Sequence, residues 1–321
     1  MRHRPKPCRL GSGEAMTTII YQGKDITKDV DVKQCLLTDR AGGGADTAKL
    51  TFADGEKIWA KWQPKRGDTV EVKTEYFGTG ILYVDNPILA NGVFTVDALS
   101  VPLSAKRPKT RIWRDVQLSQ LLKDVASGCG LTVAAYGIND FTYAAISQFC
   151  ETDIAFAERI CLREGYAVKV TGNKLTVYDE RQQEKTSPGV TVSLSDVFPD
   201  YSFEAGGALY SSLKVVGANS GELIEYTAAD SDIAGNAGKR AEFVANVGEA
   251  ERWSKGYLRA ANKYKTFARL RTQYITKIAA GSTLGISGFG YFDGSYFADC
   301  VTYDTVNSQT HLTIRKPIAN Y

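Results

Sequence analysis

The chain has 321 residues, enough for two or three domains of ~150 residues each, and its 39 basic and 36 acidic side chains leave a net charge of only +3. That near balance removes the electrostatic case for a nucleic-acid or membrane-surface binder. At 43% hydrophobic and 23% charged residues the composition is that of a soluble globular protein, and no apolar run is long enough for membrane insertion as a helix.

Residues 1–15 (MRHRPKPCRLGSGEA) form a basic arm without the apolar stretch of a secretory signal. They read as disordered, or as read-through from an upstream start. From Met16 to about residue 110 the pattern is strands punctuated by turns. TTIIYQ opens it, Thr69–Thr74 alternates, Phe77–Val84 continues as a strand, and Gly92–Leu99 is another. Turn signals fall at Asp54-Gly55, Arg66-Gly67-Asp68, Asn86-Pro87 and Asn91-Gly92. Such spacing predicts an antiparallel barrel or sandwich. The run Gly42-Gly43-Gly44-Ala45-Asp46-Thr47 lacks the Gly-Lys-Ser/Thr ending of a phosphate loop and is expected to be a flexible hairpin tip.

Pro102 and Pro108 bracket a basic linker, SAKRPKTR, that leads into residues 111–180. One supersecondary unit is written there twice, as LSQLLKDVASGCGLTV (118–133) and DIAFAERICLREGYAVKV (153–170). Each copy predicts an amphipathic helix of about three turns, a glycine and a short strand. Gly130 and Gly165 align 35 residues apart, which sets Leu121, Val125, Leu131 and Val133 against Phe156, Ile160, Tyr166 and Val168. Leu118, Leu121, Leu122 and Val125 make one buried helical stripe. Both glycines stand where a helix C-terminus favours a left-handed residue. Trp113-Arg114-Asp115 is expected to anchor the start of this module, with Trp113 against the helix and Arg114 paired to a carboxylate. An exposed recognition patch is the other reading.

Arg181–Gly189 reads as a polar exit linker. Strands are expected at Val190–Leu194, Ser212–Val216, Glu222–Ala228, Arg269–Ile278, Thr283–Ile286, Tyr296–Asp304 and His311–Pro317. One amphipathic helix, roughly 248–266, interrupts them with Trp253, Leu258, Ala261 and Tyr264 as apolar anchors. The predicted fold class is α+β, mainly β. A first β-barrel (16–110) and a second with one helix (181–321) flank an inserted α/β module (111–180). Because barrels need closure, a strand after residue 190 is a candidate to return and complete the first.

Catalytic chemistry is thinly supplied. His3 lies in the arm and His311 is expected to face outward from a strand, so no imidazole is placed for a Ser-His-Asp or Cys-His arrangement. Cys8, Cys35, Cys129, Cys150, Cys161 and Cys300 form no CxxC pair and read as reduced thiols, with no zinc spacing and no cofactor motif. Glu151 and Asp153 are the one candidate pair for hydrolysis. They flank Thr152 at a helix start, where a threonine cap and acidic residues are stabilising for structural reasons. Asp293, Asp299 and Asp304 match no calcium-loop spacing and are assigned to turns and strand edges. Trp59, Trp62 and Tyr76 would be the platform of a cell-wall glycan-binding module, the alternative to a purely structural role.

The segment Arg111-Ile-Trp-Arg-Asp-Val-Gln-Leu-Ser-Gln-Leu-Leu-Lys-Asp-Val-Ala126 resembles the late control D proteins, the baseplate hubs of contractile-tailed phages. The second matching stretch is Gln148 to Phe156 (QFCETDIAF), followed by Arg159 and Gly165-Tyr166-Ala167. The third is the closing turn and strand, with Gly288, Gly290, Phe292, Gly294 and Tyr296. The resemblance covers about Met16 to Tyr321, and the arm has no counterpart in it. It implies two barrels like those of tail-tube subunits and a homotrimer that presents six barrels in a ring. The implied partners are the spike, the tail tube or a tube-initiator protein, baseplate wedge proteins and the tape measure, with DNA only passing through the channel. It also implies a virion location after assembly in the host cytoplasm, and no enzymatic role. On that reading Trp113, Arg114, Asp115, Gly130, Glu151, Asp153, Phe156 and Gly165, together with the closing-turn residues, are structural or interface positions.

Overall fold

A computed structural model describes residues 17–75, 77–219, 221–273 and 277–318. The arm at 1–15 and Tyr76 lie outside the described residues. The fold is α+β and mainly β, with three sheets beside a 13-stranded one among the described residues.

The N-terminal strands are β1 (Thr18–Tyr21), β2 (Lys24–Asp25), β3 (Asp31–Arg40), β4 (Thr47–Ala53), β5 (Thr69–Lys73), β6 (Leu82–Ala90) and β7 (Val93–Leu99), with the short helix α1 (Ile58–Trp62) after β4. Alternation decides which face each strand buries. Leu50 and Phe52 of β4 lie opposite Val96 and Phe94 of β7, and all four point into the core. Helix α1 delivers Trp59 to the same core, where its ring stacks on Phe94 with centroids 4.7 Å apart. Residues 77–81 lie outside any named strand, and the Asn86-Pro87 signal falls inside β6 instead of a turn. It marks a β-bulge between Val84 and Asn86. Beyond the bulge β6 pairs with β7 alone, so a proline without an N–H leaves no ladder bond unmade on the open side.

The module consists of β8 (Lys109–Gln117), α2 (Leu118–Gly128), β9 (Thr132–Tyr136), β10 (Thr142–Glu151), α3 (Asp153–Arg163), β11 (Tyr166–Thr171) and β12 (Lys174–Asp179). Its duplication runs further back than the helices. The N-caps Gln117 and Thr152, the C-caps Cys129 and Glu164, and the left-handed residues Asp115 (φ 48°) and Cys150 (φ 49°) all keep the 35-residue offset of the two glycines. The repeated unit is therefore strand, left-handed kink, helix, glycine, strand. The two leading strands, β8 and β10, pair with each other, whereas β9 and β11 flank β12. Next comes α4 (Glu180–Glu184), a helix with buried carboxylates where an exit linker was expected.

The remaining elements are β13 (Thr191–Ser193), β14 (Ser202–Ala205), β15 (Tyr210–Asn219), β16 (Glu222–Ala229), β17 (Asn236–Ala241), α5 (Val247–Asn262), β18 (Thr266–Gln273), β19 (Thr283–Ser287), β20 (Gly294–Asp304) and β21 (Gln309–Arg315). A late strand does return to the first array, because β20 pairs antiparallel with β3 from Cys300↔Arg40 to Asp304↔Leu36. The arrays before and after the module thus share one sheet and one apolar core, in which Phe52, Val96, Leu270 and Ile314 meet.

The helix-bearing part of the C-terminal third does not join that core. Val215, Trp253 and Leu258 cluster with Leu121, Phe156 and Ile160 of the module, so α5 and the sheet β16-β15-β17 extend the module. The buried stripe of α5 is Ala250, Trp253, Tyr257 and Leu258, while Ala261 and Tyr264, expected as anchors, are exposed. A stripe marks a helix as buried on one side without naming its partner.

Candidate functional site

Of the residues singled out in the module, Asp153 sits at the centre of a buried cluster, and Trp113 and Phe156 stack beside it. Thr152 caps α3 by accepting from the Ala155 N–H, which turns the Asp153 side chain back beneath the β8–β10 ribbon. Asp153 is fully buried and meets Lys109 Nζ at 2.5 Å, the Arg111 guanidinium, Gln148 Nε2 at 3.1 Å and Cys129 Sγ at 3.4 Å. Burial acts to raise its pKa, yet the bonds from Lys109, Gln148 and Cys129 and the charge of Arg111 prevail and hold it below the ordinary carboxylate range. Trp113 stacks on Phe156 at 4.9 Å with rings 7° from parallel, and Arg111 lies over the Trp113 ring. The guanidinium that meets the carboxylate is thus Arg111, not Arg114, because alternation along β8 puts 111 and 113 inward and leaves Arg114 exposed. Asp115 is exposed as well. Glu151 is clamped by Arg159 through two bonds of 3.1 and 2.5 Å.

Gly130 (φ 74°) and Gly165 (φ 77°) occupy the left-handed position after α2 and α3. The closing turn is ordered by Asp293, which accepts from the N–H groups of Gly288 and Phe289 at 3.2 and 2.7 Å. Gly288, Gly290 and Gly294 all have positive φ there. Phe292 stacks on Phe203 of β14, and the buried Tyr296 donates to the Phe292 carbonyl at 2.8 Å.

A third group escaped the sequence reading. Arg315, fully buried, bonds Glu184 at 2.5 Å, forms an ion pair with Glu180 at 2.9 Å and reaches Asp299 at 3.4 Å. Arg259 of α5 bonds the same Glu184 at 2.5 Å. These side chains join α4 and α5 of the module's core to β20 and β21 of the 13-stranded sheet. The same junction holds the Lys169 bonds to Asp39 and Asp46, and the Tyr178 hydroxyl donating to the Ala41 carbonyl at 2.5 Å. The glycine-rich β3–β4 connection is therefore pinned to the module. Glu180 and Glu184, one helical turn apart on α4, were the available signal; nothing local marks Arg259 or Arg315 as their partners.

These arrangements bind and brace. Neither of two open grooves, of about 370 and 330 Å³, is lined by Glu151 or Asp153, and both carboxylates are neutralised by cations. Among the described residues no group of His, Cys, Asp and Glu side chains is arranged to hold a metal ion. His311 faces outward and Asp304 caps a turn by accepting from the N–H groups of Val306 and Asn307. Trp59 is buried and only Trp62 is exposed, so the proposed glycan platform has one available ring among the described residues.

No protein-family profile matches the chain and no curated protein matches it in sequence. Solved structures do match. A tail protein from Neisseria meningitidis MC58 is 11% identical, with a TM-score of 0.75 over 95% of this chain and 97% of that one. The 43 kDa tail protein of prophage MuSo2 from Shewanella oneidensis is 13% identical, with a TM-score of 0.73 over 94% and 98%. The E. coli c3393 protein, a type VI secretion component described as structurally similar to T4 tail proteins gp27 and gp5, is 10% identical, with a TM-score of 0.57 over 91% and 76%. The chain has the fold of phage tail proteins.

Proposed function

We propose that this chain is a structural baseplate hub protein of a contractile phage tail or phage-like particle, of the late control D kind. Three copies form a ring that joins the central spike to the sixfold tail tube. The observation that carries this reading is the pairing of β20 with β3, which sets two strand arrays in one chain on a shared core. Three copies then offer six arrays around one axis, so interfaces alone match a threefold spike to a sixfold tube. Likeness to tail proteins along nearly their whole length supports the assignment. The buried ionic junction suits a part that must stay rigid while a sheath contracts around it.

The ring holds the spike and seats the first tube or tube-initiator layer. Wedge proteins dock outside it, and tape measure and DNA pass through its channel. It acts in the virion, without catalysis. The test is the native mass of the purified protein, alone and co-expressed with the spike. A species near 105 kDa, three times 35.0 kDa, with threefold rings in negative stain is the expected result. A strict monomer in both preparations overturns the reading.

A further inference from the structure

The β8–β10 ribbon is an unfinished sheet. Among the described residues its strands, nine and ten residues long, have only each other as partners, and a lone two-stranded ribbon is marginal without further cover. Trp113, Tyr143 and Ile146 on the inner face are packed within the module's core. The outer face shows Ile112, 67% exposed, and Phe149, 75% exposed. Ile112 lies opposite Ser147, two residues from Phe149, so the two apolar side chains are diagonal neighbours.

The approach to β8 and its first half are also positive, up to the exposed Asp115 that follows Arg114. Residues 106–114 carry Lys106, Arg107, Lys109, Arg111 and Arg114 and no carboxylate. Asp85 takes Lys106, and the single Asp153 is shared by Lys109 and Arg111. Arg107 and Arg114 stay exposed.

A complementary strand exists in the same chain. β16 is an end strand of its sheet and reads ELIEYTAA, with two glutamates and no cation. Ile224 and Ala228 point inward, so Leu223, 69% exposed, and Glu225 share the outer face. Lys214 holds Glu225 there at 3.0 Å. The ribbon and this strand sit at opposite ends of a stack, because the ribbon covers α2 and α3, the β16-β15-β17 sheet covers α5, and α3 meets α5 between them. One copy therefore cannot join its own two surfaces. A contact between different patches of successive copies is head to tail and closes into a ring when the rotation allows.

We infer that the β8 edge of one copy takes the β16 edge of the next copy. Ile112 and Arg114 are two residues apart on one face, as are Leu223 and Glu225, so parallel pairing sets leucine over isoleucine and glutamate against arginine together. Main-chain bonds along the edges add the affinity of strand addition. This names the contact between subunits and rests on the ring reading above.

The test compares the native masses of the full chain, Arg114→Glu, Glu225→Arg and the double variant, with circular dichroism as the check on folding. The expected result is about 105 kDa for the unaltered chain, about 35 kDa for each folded single variant, and recovery of about 105 kDa in the double variant, where the charges are exchanged. Ile112→Glu is expected to dissociate the trimer, and Leu194→Glu, an exposed apolar position outside the patch, to leave it intact. Single variants that remain trimers overturn this contact and leave the ring reading standing. Folded single variants that dissociate without recovery in the double variant overturn it too. An unaltered chain that is monomeric with and without the spike removes the ring, and this contact with it.

Discussion

Gly256 of α5 lies so close to Arg163 at the end of α3 that a Cβ on it would stand 2.2 Å from the Arg163 carbonyl oxygen. The two helices touch through backbone at this point. Around it, Glu164 accepts from Trp253 Nε1 and Arg252 Nε at 2.8 Å each, and Arg163 bonds the Tyr257 hydroxyl and Glu242 at 2.9 Å each. This glycine is what lets the C-terminal helix share the module's core.

Gly256→Ala tests that approach. Alanine favours a helix interior by about 1 kcal/mol over glycine, but forcing a methyl into backbone contact costs about 1–3 kcal/mol or more. Net destabilisation in urea unfolding is expected. A variant as stable as the unaltered protein would show that the helices can separate at no cost.

Asp153→Asn should destabilise by about 3 kcal/mol, the low end for breaking a buried pair, because Lys109 and Arg111 keep 30% and 32% exposure and some hydration. The folded pKa is depressed, so this contribution is present above the ordinary carboxylate range and is lost as pH falls through the folded value. The gap between the two proteins in urea midpoint should therefore narrow on acidification. A gap that is constant with pH contradicts the assignment.

Asp46 titrates in the opposite sense. Burial pushes its carboxyl up to about 6 despite the Lys169 charge, and Asp39 adds to the rise. A raised folded pKa means stability that is present below the unfolded value of about 4 and is lost as pH climbs through about 6. Asp46→Asn keeps an acceptor for the Arg40 N–H, bonded at 3.0 Å, and should remove that slope. Unfolding curves at several pH values across the window decide it. A slope that survives the substitution assigns it to another group.

Gly165 has open space where a side chain would stand, with Arg181 no nearer than 3.8 Å, so its constraint is conformational. Gly165→Val should cost about 1–2 kcal/mol or more from the left-handed backbone alone, and Gly165→Asn clearly less, since asparagine tolerates that region. Equal losses in thermal melts would point to crowding instead. Normal particles from the valine variant would remove any role of this turn in assembly.

Arg315→Met is expected to cost about 3 kcal/mol, the low end for breaking a buried ion pair, because Glu180, Glu184 and Asp299 lose their shared cation while Arg259 still meets Glu184 and Glu180. Because the Arg315 cation joins the two apolar cores alongside the Lys169–Asp39 pair and the Tyr178–Ala41 bond, the variant should unfold less cooperatively, tryptophan fluorescence and circular dichroism beginning to separate. A single coincident transition would show that the cores are coupled by other contacts.

The duplicated unit was legible because everything that defines it is local: a helical stripe, a glycine and a strand, repeated at a fixed offset. The left-handed kinks at Asp115 and Cys150 were not, since neither residue type announces such a backbone. The Asn86-Pro87 signal misled because a turn dipeptide and a bulge in a half-paired strand share the same residues. Trp59 looked like a surface ring until α1 folded it onto Phe94.

Alternation and periodicity therefore settled the mainly β class, the helices of the module and the inward faces of its strands, because each depends on neighbours within a few residues. Which elements meet was settled only in three dimensions. The β20–β3 join spans about 260 residues, the module's core gathers residues from Ala105 to Leu258, and Arg315 finds Glu184 at a separation of 131 residues. Apolar stripes and buried charges carry no address; their partners are selected by shape and charge complementarity once the chain has collapsed.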